Sequence, residues 1–246
     1  MPINYLRTLT ASTRTQRANR HLGISLAFIA GAINAGGFIA VGRYTSHMTG
    51  IVSELADDLV LGQLALAGAA LMALLTFIAG AATSAMLIHW GHRKQLRSEY
   101  APPLMLEAGL LLLFGLMGAN LMASQALLVP LAVITLCFIM GLQNAIITKL
   151  SNAEIRTTHV TGVVTDIGIE LGKLMYWNRT LMDDSRRVVA NRERLRIHVS
   201  LLLAFFGGGV AGALGFKHWG FIATVPLALY LLILAAIPLL DQWRRH

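Results

Sequence analysis

Residues 45–59 read T-S-H-M-T-G-I-V-S-E-L-A-D-D-L, and residues 157–171 read T-T-H-V-T-G-V-V-T-D-I-G-I-E-L. Laid over each other without a gap, the two stretches share six identities, and most other positions are like for like, including Glu54/Asp166 and Asp58/Glu170. Each is preceded by a related motif, Gly31-Ala-Ile-Asn34-Ala35 before the first and Gly141-Leu-Gln-Asn144-Ala145 before the second. The chain therefore carries an internal repeat, in which Asn34 pairs with Asn144 and His47 with His159.

The surroundings of these polar stretches are apolar. Of 246 residues, 56% are hydrophobic and only 13% charged, and mean hydropathy is +0.64. A soluble domain of this size cannot cover itself with so little charge. Residues 22–42, 64–90, 126–148 and 219–240 contain no charged side chain at all. Each matches the roughly 20 residues that a helix needs to cross the hydrocarbon core. Residues 104–122, with Glu107 near the start, and 199–216 complete a set of six. The long runs exceed any usual strand, so the reading is all-α.

The repeated segments do not belong in lipid. Glu54, Asp57 and Asp58 would each cost roughly 3 kcal/mol near a bilayer centre, against about 0.5 kcal/mol gained per Leu, Ile or Val. Asp166 and Glu170 tip the balance the same way by a smaller margin. Each segment is thus a re-entrant or broken helix that is shielded by protein, lines a wet cavity or lies at the interface. If both return to the side they left, and the N-terminus is cytoplasmic, 18 of the 20 Lys and Arg fall inside, with only Arg43 and Lys217 outside. If both cross, the ratio falls to 13 against 7. The positive-inside tendency selects the first arrangement, with both termini cytoplasmic.

That choice orients the two halves oppositely: residues 22–125 and 126–246 form an inverted repeat, preceded by a basic cytoplasmic tail at 1–21. Such repeats bring their binding sites together near the midplane. The expected pathway residues are Asn34, His47, Thr49, Glu54 and Asp58 from the first copy, and Asn144, His159, Thr161, Asp166 and Glu170 from the second. Arg43 and Arg156 stand where mouths of the pathway would be. On a continuous helix the His and both acids of each copy share one stripe, at i, i+7 and i+11. If instead Thr45, Ser46 or Thr49 caps a later start, the His sits in the loop at the tip and the helix N-terminus offers a shallow anion site. Burial raises carboxylate pKa values, which makes proton coupling an expectation of the first version.

Other features have plainer readings. Residues 173–198 form a basic cytoplasmic arm, read as a topology lock or a helix facing anionic lipid. Its charge lacks the aromatic interleaving of a nucleic-acid surface. The glycines at 207–209 and 212, and Gly80 with Ser84, suit close helix packing, within one protomer or in a homo-oligomer. Cys137 is a core residue, without a disulfide framework or Cys metal site. Nothing in the sequence points to a metal or cofactor.

The motifs G-x-x-N-A with Y-T-S-H-M-T-G, and G-L-Q-N-A with R-T-T-H-V-T-G-V-V-T-D-I-G-I-E-L-G-K, resemble the YoaK-like family of bacterial integral membrane proteins of unknown function. The resemblance runs from about residue 23 to 240 and implies a bacterial inner-membrane protein; no activity or site residue comes with it. The expectation is a transporter or channel for a small solute or ion. Two alternatives belong to other classes: an intramembrane enzyme using the repeated His and acids, and a scaffold or regulatory protein acting through its basic arm. The His spacing does not match H-E-x-x-H, and no G-x-S-x-G elbow is present.

Overall fold

The computed structural model describes residues 16–96, 98–119, 125–150, 160–176 and 188–243, and no strand occurs among them. Helix α1 covers Gln16–Val41, α2 Met48–Val60, α3 Leu64–Arg93, α4 Ala101–Ala119, α5 Gln125–Leu150, α6 Val160–Met175, α7 Arg192–Trp219 and α8 Thr224–Trp243. The apolar runs become the long helices, and the repeated segments become the short amphipathic α2 and α6. Punctuation follows local chemistry. Gly62, at φ +71°, turns the chain between α2 and α3. Pro102 and Pro103 sit in the first turn of α4, where a missing N–H costs nothing. Asn191 caps α7, its side-chain oxygen accepting from the Arg194 N–H at 3.0 Å.

Five stretches are long and apolar enough to cross a membrane: 20–41, 64–93, 101–118, 127–149 and 192–236. The last is 45 residues long and turns at the 3₁₀ segment Gly220–Ala223, where Gly220 adopts φ +56°, so it is two helices, α7 and α8. Large apolar side chains such as Leu116, Leu127, Leu203 and Phe206 point outward. In water such a surface would aggregate, whereas against lipid it is the ordinary covering. The chain is a multi-pass helical membrane protein.

Contacts along the helices fix their relative directions. Arg20 pairs with Glu193, a Cβ on Gly208 would strike Phe28, one on Gly212 would strike Ala32, and one on Gly36 would strike Phe216. α1 and α7 therefore run the same way. By the same reasoning α3 and α5 are parallel, with Phe77 beside Gly141 and His89 meeting Lys149 at 2.9 Å. α5 is antiparallel to α1: Gln143 donates to the Leu26 carbonyl at 3.2 Å, and Leu136 lies against Gly37. α8 is antiparallel to α4, with Thr224 beside Gly115 and Phe221 beside Gly118.

The two parallel crossings share one design. Phe28-Ile-Ala-Gly31 of α1 meets Phe205-Phe-Gly-Gly208 of α7, and Phe77-Ile-Ala-Gly80 of α3 meets Phe138-Ile-Met-Gly141 of α5. In each crossing the glycine of one helix lies on the Phe carbonyl of the other, reciprocally, so that an added Cβ would overlap backbone on both sides. Small residues give helices in lipid the close approach that dispersion and weak C–H···O contacts reward. The main pairings also map onto themselves when α1–α4 are exchanged with α5–α8. α1–α7 becomes α5–α3, α2–α3 becomes α6–α7, and α1–α5 and α4–α8 map onto themselves. The exchange is incomplete, because α4 also packs on α5 with no comparable contact between α8 and α1.

Glu107, near the start of α4, is 0% exposed, and neither carboxylate oxygen has a hydrogen-bond partner among the described residues. The basic arm at 173–198 is described only at its two ends. Residues 173–175 end α6 and residues 192–198 open α7, because Asn191 caps a helix there; 177–187 lie outside the described residues.

Candidate functional site

α2 begins at Met48, with His47 as its capping residue at φ −89° and ψ 65° and no side-chain cap. None of Thr45, Ser46 and Thr49 is the cap: the helix starts directly after His47, which ends the loop from α1. Ser46 donates from Oγ to Asn34 Oδ1 at 2.9 Å, tying that loop back to α1. Gly50 matters here, because the His47 ring lies over it and a Cβ would occupy the ring's place. Among the described residues α6 runs from Val160, the counterpart of Met48.

The starts of both short helices open on one cavity of about 720 Å³. From α1 and α5 come Asn34, Asn144 and Thr148; from α2 and its loop Tyr44, Ser46, His47, Met48 and Thr49. α6 adds Val160 and Thr161, and α3 and α7 add Phe77 and Phe205, the aromatic members of their crossing motifs. Eight of these twelve residues are four pairs of counterparts: Asn34/Asn144, Met48/Val160, Thr49/Thr161 and Phe77/Phe205. The repeat thus converges on a single space. Among its described lining residues none is Asp, Glu, Lys or Arg. The wall offers hydroxyls, amides, an imidazole and the positive end of the α2 dipole.

The four acids stand elsewhere. Glu54 pairs with Arg43 at 2.8 Å beside a second, smaller cavity, with the two side chains 38% and 46% exposed. A pair so wet contributes at most about 1 kcal/mol. Asp58 is buried near the end of α2, its Oδ2 without a partner among the described residues. Asp166 lies 3.5 Å from Arg194 and 3.7 Å from His198 Nε2. Glu170 accepts from Lys173 at 2.8 Å and from the Asn191 N–H at 2.7 Å. Those two bonds hold its carboxyl below the usual range, opposite to the rise expected from burial. The acids of the second copy thus dock α6 onto the start of α7. His159 and Arg156 lie outside the described residues, as does the rest of 151–159.

Sequence reasoning brought Asn34, His47, Thr49, Asn144 and Thr161 to the cavity, and it missed Phe77 and Phe205. Their signal was present: F-I-A-G occurs verbatim at 28–31 and 77–80, and related F-x-x-G runs occur at 138–141 and 205–208.

One family matches residues 22–237, most of the chain and all of the cavity wall. The chain belongs to the DUF1275 family of proteins of unknown function. The YoaK-like resemblance agrees with membership of DUF1275. No characterised protein and no solved structure matches the chain.

Proposed function

We propose that this DUF1275 protein is a transporter or channel that moves a small solute across the bacterial inner membrane through the cavity between α2 and α6. The observation that carries the reading is the convergence of both copies' Asn, Thr and helix starts on one space free of formal charge among its described residues. In this reading α1, α3, α4, α5, α7 and α8 cross the membrane six times, and α2 and α6 are re-entrant. At 13 residues, α2 reaches only about 20 Å, less than the roughly 30 Å core. An inverted repeat is supported by helix direction: α1 and α5 are counterparts and antiparallel, as are α4 and α8. With the termini cytoplasmic, α2 enters from outside and α6 from inside, and their N-termini face the cavity from opposite sides, an arrangement common to transporter sites.

The test is solute-driven swelling of proteoliposomes carrying the full chain, with urea, glycerol, sodium formate and ammonium chloride as probes. At least one probe should enter faster than into empty vesicles, and Asn34→Leu with Asn144→Leu should reduce that rate about tenfold while the protein stays monodisperse. Entry of every probe at the empty-vesicle rate would defeat the proposal.

A further inference from the structure

Beneath the loop between α1 and α2 lies the smaller cavity, about 310 Å³, which shares Tyr44 and His47 with the larger one. Its wall holds hydrogen-bond donors with nothing to donate to. Thr45 lines it, is only 1% exposed, and has a hydroxyl without a partner. The loop's backbone bonds run from Met48 to Ser46 and from Ile51 to His47, leaving the N–H groups of Thr49 and Gly50 without a backbone acceptor; Gly50 lines this cavity, and Thr49 the larger one. No side chain caps this end of α2. Buried polar groups are ordinarily satisfied, and an unmet one signals a missing partner. Arg43 also lines the cavity, held by Glu54 in a pairing that water weakens.

The positive end of a helix, the Gly50 amide and an exchangeable guanidinium favour an acceptor carrying negative charge, to which the Thr45 hydroxyl can donate. The Glu54 carboxylate in the same wall is the group it must displace from Arg43. We infer that the solute is a small monovalent oxyanion, of the size and chemistry of nitrate or formate. It docks against Thr45 and the first turn of α2, and Arg43 turns from Glu54 to meet it. This rests on the transport reading and names the solute class for it.

The experiment compares potassium nitrate with urea and sodium as probes in proteoliposomes of the full chain, with valinomycin present to balance charge. Nitrate should enter at least about ten times faster than urea. Thr45→Val should cut nitrate entry about fivefold, and Thr45→Ser should retain it. Faster entry of urea or sodium than of nitrate, or undiminished nitrate entry in Thr45→Val, would overturn the oxyanion site and leave transport standing. Entry of no probe above empty vesicles would remove both. Should Thr45→Val not fold, calorimetric titration of the unaltered protein with potassium nitrate decides. Saturable heat supports the site, and its absence overturns it.

Discussion

Two adjacent glycines in α7 meet opposite surroundings. A Cβ on Gly208 would overlap the Phe28 carbonyl, whereas one on Gly207 would meet nothing within 4 Å. Gly208→Ala should therefore destabilise by about 1–3 kcal/mol, the usual cost of overpacking. Gly207→Ala should be neutral or stabilising by up to about 1 kcal/mol, since Gly is the poorer helix former. Thermal unfolding of the two variants in the same detergent checks the contrast. Glu170 supplies a pH dependence at this scale. Its folded pKa lies below the unfolded value of about 4.3, so the stability it contributes is present above that value and is lost as pH falls through the folded pKa. Between pH 5 and 3 the melting temperature should fall more steeply in the unaltered protein than in Glu170→Gln. An equal slope would detach Glu170 from the docking of α6.

Among the elements, α2 and α6 show how far a repeat can be read. Their likeness, the Asn before each, and the expense of their acids in lipid were enough to predict two short helices apart from the long ones, and the first described residues of both line one cavity. The stripe of His and acids was legible only as spacing. Spacing tells which residues share a helix face, not what that face touches. Arg43, Lys173, Asn191 and Arg194 claim Glu54, Glu170 and Asp166, and those partners come from a loop, the same helix and the next helix. The F-x-x-G crossings were equally open to view, but a glycine in an apolar run looks alike whether it faces backbone or lipid. The start of α7 has its own test: Asn191→Ala should cost about 1 kcal/mol through loss of the cap to Arg194. Amide exchange should rise in the first turn of α7 and remain unchanged in α3.

For the whole molecule, the long apolar runs made the helical membrane class plain, and the spread of Lys and Arg supplied an orientation. In a protein with Cys137 replaced by Ala, Asp57→Cys should react with an impermeant maleimide in intact spheroplasts. Lys94→Cys should react only after permeabilisation. Equal labelling of both would defeat the re-entrant arrangement. The reciprocal crossings carry a last consequence. Each joins a helix of one copy to a helix of the other, α1 to α7 and α3 to α5, so the duplicated pieces are interwoven rather than set side by side. Severed between 119 and 125, neither piece would keep the partner its glycines were shaped for. Survival of the fragments should depend on making both in the same cell. Any rocking motion would carry mixed pairs, one strand of each ancestry, as its rigid bodies.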